Sequence, residues 1–369
     1  MEYNNILRDD SLFPLLTLPK ILILSKTMQK MCLFYCSFML ITAVADLIVV
    51  ALTNQWNLVF TRYSSLCGGF LIVITSYVSL YHPARVNMFV NTYNKIFPSL
   101  WSLYGCRHKF EKIASLAKIF ALFMTAAVLI VATAALPWYG DEYYLYFPVK
   151  VAVDYFNKYA LNVYLFFFYT YFYHAALTLI ANIFSLTYLI LHLYNQFCML
   201  NEKLKTLPDN QHQDLVKQEL ISCIKLHQTL LEYIKLINAL LYYPIYFYSA
   251  GEFTIGLTII LCPKSTLMDL LRAILAAVIT VSAVAGGCFF GQILENASEE
   301  TLNSAYSAPW YTWNTKNRKL FLLFLQLTER KAILSTSGVI TVNYQLLIGL
   351  FRAIYSSVMC IVHLRSNKG

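Results

Sequence analysis

A chain of 369 residues that is 59% hydrophobic and only 13% charged lies outside the range of soluble globular domains, about a quarter of whose residues are charged. The net charge of +9 would point to nucleic acid in a soluble protein, but here the basic residues flank apolar runs, so they orient membrane helices and no nucleic-acid partner is expected. The composition predicts an all-α membrane protein, and 28 Tyr with 25 Phe exceed what interfacial belts use, which suggests aromatic-lined interior space.

Residues 1–30 carry Glu2, Asp9 and Asp10 and no clean apolar core, so they read as a cytoplasmic N-terminal segment rather than a cleaved signal peptide. Seven apolar stretches of the required ~20 residues follow, at 31–53, 58–82, 115–139, 161–197, 234–262, 268–294 and 341–364. The fourth is nearly twice the necessary length and should project beyond the bilayer as one helix. An amphipathic run from Gln213 precedes the fifth, and Pro244 should kink it.

With the N-terminus inside, the cytoplasmic segments hold 18 Lys and Arg and the outer segments hold five, which places the C-terminus outside by the positive-inside rule. The third span ends in Leu136-Pro137-Trp138-Tyr139-Gly140 without a DRY-like triplet, and the seventh lacks NPxxY. Both agree with a topology opposite to that of G-protein-coupled receptors. The sequon Asn296-Ala297-Ser298 then falls inside and should remain unglycosylated.

Charges in the bilayer core cost several kcal/mol unless paired or wetted. Asp46 and Arg62 sit in the outer halves of adjacent spans and read as an ion pair or as ligand contacts, while Arg352 flanks a pore face or pairs with Glu252. Apolar and hydroxyl-bearing residues gather in the outer halves of the second, third and fourth spans. Phe60, Tyr63, Leu66, Ile130, Thr133, Trp138, Tyr164, Phe168, Tyr171 and His174 are candidate ligand-binding residues, with helix packing as the competing reading.

Residues 295–340 form the one informative soluble segment: a charged helix, a turn at Pro309-Trp310, and a second helix with Leu320, Leu323, Phe324 and Leu327 on one face. Such a stripe can be buried against copies of itself, which makes Leu323 and Leu327 candidate assembly residues. A peripheral helix on the headgroups is the alternative. In the last span Gly349, Ala353, Ser356, Cys360 and His363 share an arc of about 80°. That small, polar stripe suits either close helix packing or the wall of a water-filled path.

No GxSxG, P-loop or HExxH occurs, so an enzyme is not expected. Nine cysteines and seven histidines show no disulfide framework and no metal-ligand spacing, so neither a metal nor another cofactor is expected.

The run Phe289-Phe290-Gly291-Gln292-Ile293-Leu294, then Ser298-Glu299-Glu300, Ala305-Tyr306-Ser307-Ala308-Pro309-Trp310-Tyr311, Asn317-Arg318-Lys319-Leu320 and Leu350-Phe351-Arg352-Ala353-Ile354-Tyr355-Ser356 resembles the insect odorant receptor family. The likeness covers roughly 287–364, with departures at Ile354 and at Val342-Asn343-Tyr344-Gln345. The ending Ser356-Ser357…His363-Leu364 and a short loop after the fourth span resemble an odorant-specific subunit rather than the family's co-receptor.

The resemblance implies seven transmembrane helices in a tetrameric, ligand-gated, non-selective cation channel of the plasma membrane of olfactory sensory neurons. It implies a heterotetramer with the odorant receptor co-receptor, a small volatile apolar ligand, and a cytoplasmic helical anchor, through which Trp310, Arg318 and Lys319 join Leu323 and Leu327 as candidate assembly residues. On that basis 31–294 would bind ligand, 295–340 would be the anchor, 341–364 would line the pore, and 365–369 would be an extracellular tail. Ser356, Cys360, His363 and Leu364 would be pore residues, which favours the pore-wall reading of the small stripe. A gustatory-type channel acting without the co-receptor, a metabotropic receptor and, more remotely, a transporter are the alternatives.

Overall fold

In lipid a helix satisfies all of its own backbone hydrogen bonds, and the described residues of this chain lie mostly in long helices. The structure, a computed structural model, describes residues 107–134, 158–209, 213–261, 267–336 and 340–366, together with helical positions 30, 31, 34, 37, 41 and 48. In chain order the elements are α1 (Arg107–Ala134), α2 (Lys158–Lys205), α3 (Gln213–Leu261), α4 (Leu267–Tyr306), a 3-10 turn (Trp310–Thr312), α5 (Thr315–Thr328), β1 (Ser335–Thr336), β2 (Ile340–Thr341) and α6 (Tyr344–Ser366).

The over-length fourth span is indeed one helix: α2 has 48 residues and is about 72 Å long, more than twice the ~30 Å of a hydrocarbon core. The amphipathic run from Gln213 and the fifth span are likewise a single 49-residue helix, α3, which continues through Pro244. Two segments among the described residues are long and apolar enough to cross a membrane, Glu111–Ile130 and Leu179–Lys205.

α4 lies along both α2 and α1. Its approach to α1 requires a residue without a side chain, because a Cβ on Gly286 would strike the Phe120 ring. Phe120 also meets Phe290 edge to face, with centroids 5.8 Å apart. The outer apolar core joins Met124, Val128, Ala132, Ala176, Ile180 and Ile279. A larger inner core runs from Ala117, Tyr188 and Phe197 through Val216, Leu220 and Leu230 to Trp313, Phe321 and Phe324. Burying a large apolar side chain contributes about 1.5–3 kcal/mol, so this inner cluster is what holds α5 against the ends of α2, α3 and α4.

Thr341, expected to open the last span, lies instead in a two-stranded ladder in which Ser335 pairs with Thr341 and Thr336 with Ile340. The helix starts three residues later because Asn343 caps it: its Oδ1 accepts the backbone N–H groups of Gln345 (3.1 Å) and Leu346 (3.4 Å).

Candidate functional site

α6 packs on its own protomer through its first two turns, where Leu346 and Leu347 rest against the inner core and Leu350 is half-buried. Beyond that, the described side chains from Phe351 to His363 are exposed. At about 100° per residue the exposed surface divides in two. Gly349, Ala353, Ser356, Cys360 and His363 form one half, small or polar, and nothing lies within 4 Å of where a Gly349 Cβ would be. Tyr344, Ile348, Phe351, Tyr355 and Met359 form the other, all bulky and between 44% and 67% exposed. Arg352 is exposed on the boundary between them.

The foot of α6 is tied down where its upper turns are exposed. Up one face of α4, Glu299 pairs with Lys331, the Ser298 hydroxyl accepts Ala332 N–H (2.9 Å), and Glu295 accepts from Asn343 Nδ2 (3.3 Å). Gln292 Oε1 then accepts Tyr344 N–H at 3.4 Å. A Cβ on Gly291 would collide with the Val342 carbonyl, so only glycine permits this contact. From α3, Asn238 clamps β1 with both ends of its amide, donating to the Ile333 carbonyl (3.0 Å) and accepting from Ser335 N–H (3.0 Å).

Beside this, α5 closes a helical module with the ends of α2, α3 and α4. Asn314 caps the helix by accepting Asn317 N–H at 2.8 Å. Trp313 is buried, donates Nε1–H to the Pro208 carbonyl (3.1 Å) and meets Phe321 edge to face. His227 is buried between Phe197 and Phe324, with Nδ1 unpartnered, and burial lowers its pKa to about 4. Burial likewise pushes the Cys223 thiol up to about 11, so it packs rather than reacts. Lys205, between Glu300 and Glu202, has its pKa raised first of all by the hydrogen bond to Glu300.

The expected assembly residues are dispersed. Trp310 stacks on Phe321, Arg318 Nε donates to the Trp313 carbonyl (2.6 Å), and Lys319 is exposed. The face of α5 that packs inward is Asn317, Phe321, Phe324, Leu325 and Thr328. Of the stripe read from the sequence, Phe324 is buried, Leu320 and Leu327 are half-buried, and Leu323 is open to solvent beside Leu322.

Among the ligand candidates, His174 is buried on α2 beside the outer core. Ile130 is 55% exposed and lies on the face of α1 away from Met124, Val128 and Ala132. Thr133 Oγ1 donates to the Ile130 carbonyl. Phe60, Tyr63, Leu66, Trp138, Asp46 and Arg62 lie outside the described residues, as do the side chains of Tyr164, Phe168, Tyr171, Glu252 and Leu364. Sequence reasoning missed Asn238, Glu295, Asn317 and Asn343, polar residues whose partners are mostly distant in the chain.

A family model described as 7tm Odorant receptor matches residues 105–355, more than half of the chain. The fold is similar to the olfactory receptor OR5 from Machilis hrabei (TM-score 0.70, 11% identity, covering 92% of this chain and 90% of that one). It is equally similar to the same receptor in complex with eugenol (TM-score 0.68, 12% identity, 92% and 91%). No curated protein matches significantly. The matched family is one of membrane receptors, not enzymes. With that family model matching from the start of α1 into α6, the chain belongs to the 7tm odorant receptor family.

Proposed function

We propose that this chain is an odorant-specific subunit of a ligand-gated, non-selective cation channel, assembled as a heterotetramer with the odorant receptor co-receptor. The observation that carries the reading is the divided surface of α6. A helix that exposes a small, polar half and a bulky, apolar half is suited to facing water on one side and a neighbouring helix or lipid on the other. In this reading Ser356, Cys360, His363 and Leu364 line the pore, and 295–340 is the cytoplasmic anchor, with Trp310, Arg318, Lys319, Leu323 and Leu327 at or near subunit contacts. The N-terminus (1–30) is cytoplasmic and the tail (365–369) extracellular.

The ligand is a small volatile apolar molecule held within 31–294, against Phe60, Tyr63, Leu66, Ile130, Thr133, Trp138, Tyr164, Phe168, Tyr171 and His174. The complex of the Machilis receptor with eugenol supports a ligand of that kind. Tighter binding to the open state shifts the population toward conduction. The site of action is the plasma membrane of olfactory sensory neurons.

The test is whole-cell current from cells expressing this chain with and without the co-receptor, under a panel of volatile esters, alcohols and terpenoids. Inward current only in the paired cells is expected, and His363→Ala or Leu364→Ala should alter permeation with little change in ligand ranking. Current from this chain alone would favour a gustatory-type channel.

A further inference from the structure

We infer that Glu295 is a positioning residue for α6, acting through Asn343 to fix where the helix begins and how it is rotated about its axis. Asn343 is buried and uses both ends of its amide: the oxygen caps α6 at Gln345 and Leu346, and the nitrogen donates to Glu295 on α4. The cap sets the first residue of the helix. The bond to Glu295 ties that cap to a helix packed along α1, α2 and α3.

The neighbouring contacts leave little alternative register. Val342 N–H donates to the Leu334 carbonyl at 2.8 Å, the Val342 carbonyl lies against Gly291, and Gln292 receives Tyr344 N–H. Each of these fixes backbone. The Asn343–Glu295 bond instead joins the cap to α4 through two side chains and uses the amide nitrogen rather than the capping oxygen, so it can be broken without changing the cap. A slip of one residue at this point rotates every position above it by about 100°, which would carry Ser356 and His363 off the arc they now occupy and bring the bulky half toward it.

The inference rests on the reading of α6 as pore wall only for its functional consequence, and the experiment separates the two. In Asn343→Asp the carboxylate keeps the cap, since aspartate is as good an N-cap as asparagine, but it cannot donate to Glu295 and repels it. Glu295→Gln in the same chain restores a donor facing an acceptor. Hydrogen exchange of the amides of residues 345–349 is measured in the full-length protein, together with current evoked by a mixture of volatile esters, alcohols and terpenoids in cells also expressing the co-receptor.

Glu295→Gln alone keeps an acceptor and should match the wild type. Asn343→Asp should speed exchange at least about fivefold, the equivalent of one lost hydrogen bond, and reduce current at equal surface level. The double variant should recover both. Unchanged exchange in Asn343→Asp, or no recovery in the double variant, overturns the positioning role. Exchange that speeds in Asn343→Asp and recovers in the double variant while current stays constant upholds it and removes α6 from the conduction path instead.

Discussion

Asn317, on the first turn of α5, donates from Nδ2 to both the backbone carbonyl (2.9 Å) and the side-chain Oε1 (3.0 Å) of Gln213, the first residue of α3. The same Gln213 oxygen accepts Asn314 N–H at 2.9 Å. Two helix starts more than 100 residues apart are therefore locked by one amide, and that amide is only 2% exposed.

Replacing Asn317 by Leu should destabilise the α5 module by about 2–3 kcal/mol, since it removes two bonds worth about 1 kcal/mol each and strands a buried carbonyl. Asn317→Asp should be no better, because a carboxylate cannot donate to Gln213. Thermal melting of detergent-solubilised receptor reads both. Melting equal to wild type in the two variants would show that Gln213 finds other partners.

Lys205 offers the contrast. Its bonds to Glu300 (3.1 Å) and Glu202 (3.2 Å) raise its pKa, but all three side chains are about a third or more exposed, so solvent screens them. Lys205→Met should change stability by less than ~1 kcal/mol in the same assay.

His227 gives the module a pH dependence with a definite sign. A pKa of about 4 in the fold against 6.5 when exposed means that the unfolded chain binds the extra proton between those values. The neutral histidine is therefore fully accommodated above pH 6.5, and stability falls as pH drops from 6.5 toward 4, by up to roughly 3 kcal/mol. His227→Phe should flatten this part of the melting-versus-pH curve relative to wild type. Parallel curves would place the acid sensitivity elsewhere.

Gly291→Ala pits two effects against each other. Alanine should gain about 1 kcal/mol of helix propensity, but its Cβ would strike the Val342 carbonyl, backbone that cannot swing aside. Overpacking of this kind costs about 1–3 kcal/mol, so a net loss of melting temperature and of surface receptor is expected. A gain in stability would mean that the foot of α6 yields more easily than its contacts suggest.

The two halves of α6 can be told apart chemically. In a Cys360→Ser background, Ser356→Cys should be blocked by a charged, membrane-impermeant thiosulfonate applied outside, and Tyr355→Cys should not. Equal sensitivity of the two would show that the divided surface does not separate water from protein and lipid.

The long helices were legible in the sequence because length and hydropathy are local properties. Residues 161–197 exceed one span, and α2 proves to run from 158 to 205. The inward face of α5 was not legible. Five of the nine residues in Lys319–Leu327 are Leu and two more are Phe: with Leu320, Phe321, Leu322, Leu323, Phe324, Leu325 and Leu327 all apolar, periodicity alone cannot say which stripe is buried. The polar ties at Asn238, Glu295 and Asn317 were equally hidden, because a side-chain amide or carboxylate looks the same whether it faces water or a partner 48 to 104 residues away.

The unbroken α2 and α3 carry a consequence for anyone who would exchange parts between receptors. The ends that pack on α5 cannot be treated as a detachable cassette, because each is the same rod as a membrane span and inherits its angular phase. Splicing in one residue between the halves would turn the lower part by about 100° and advance it 1.5 Å, whereas seven residues would return it to within about 20°. A hybrid joined without regard to that count would present Val216, Leu220 and Cys223 to water and carry exposed neighbours such as Lys217 and Ser222 into the space left by the core.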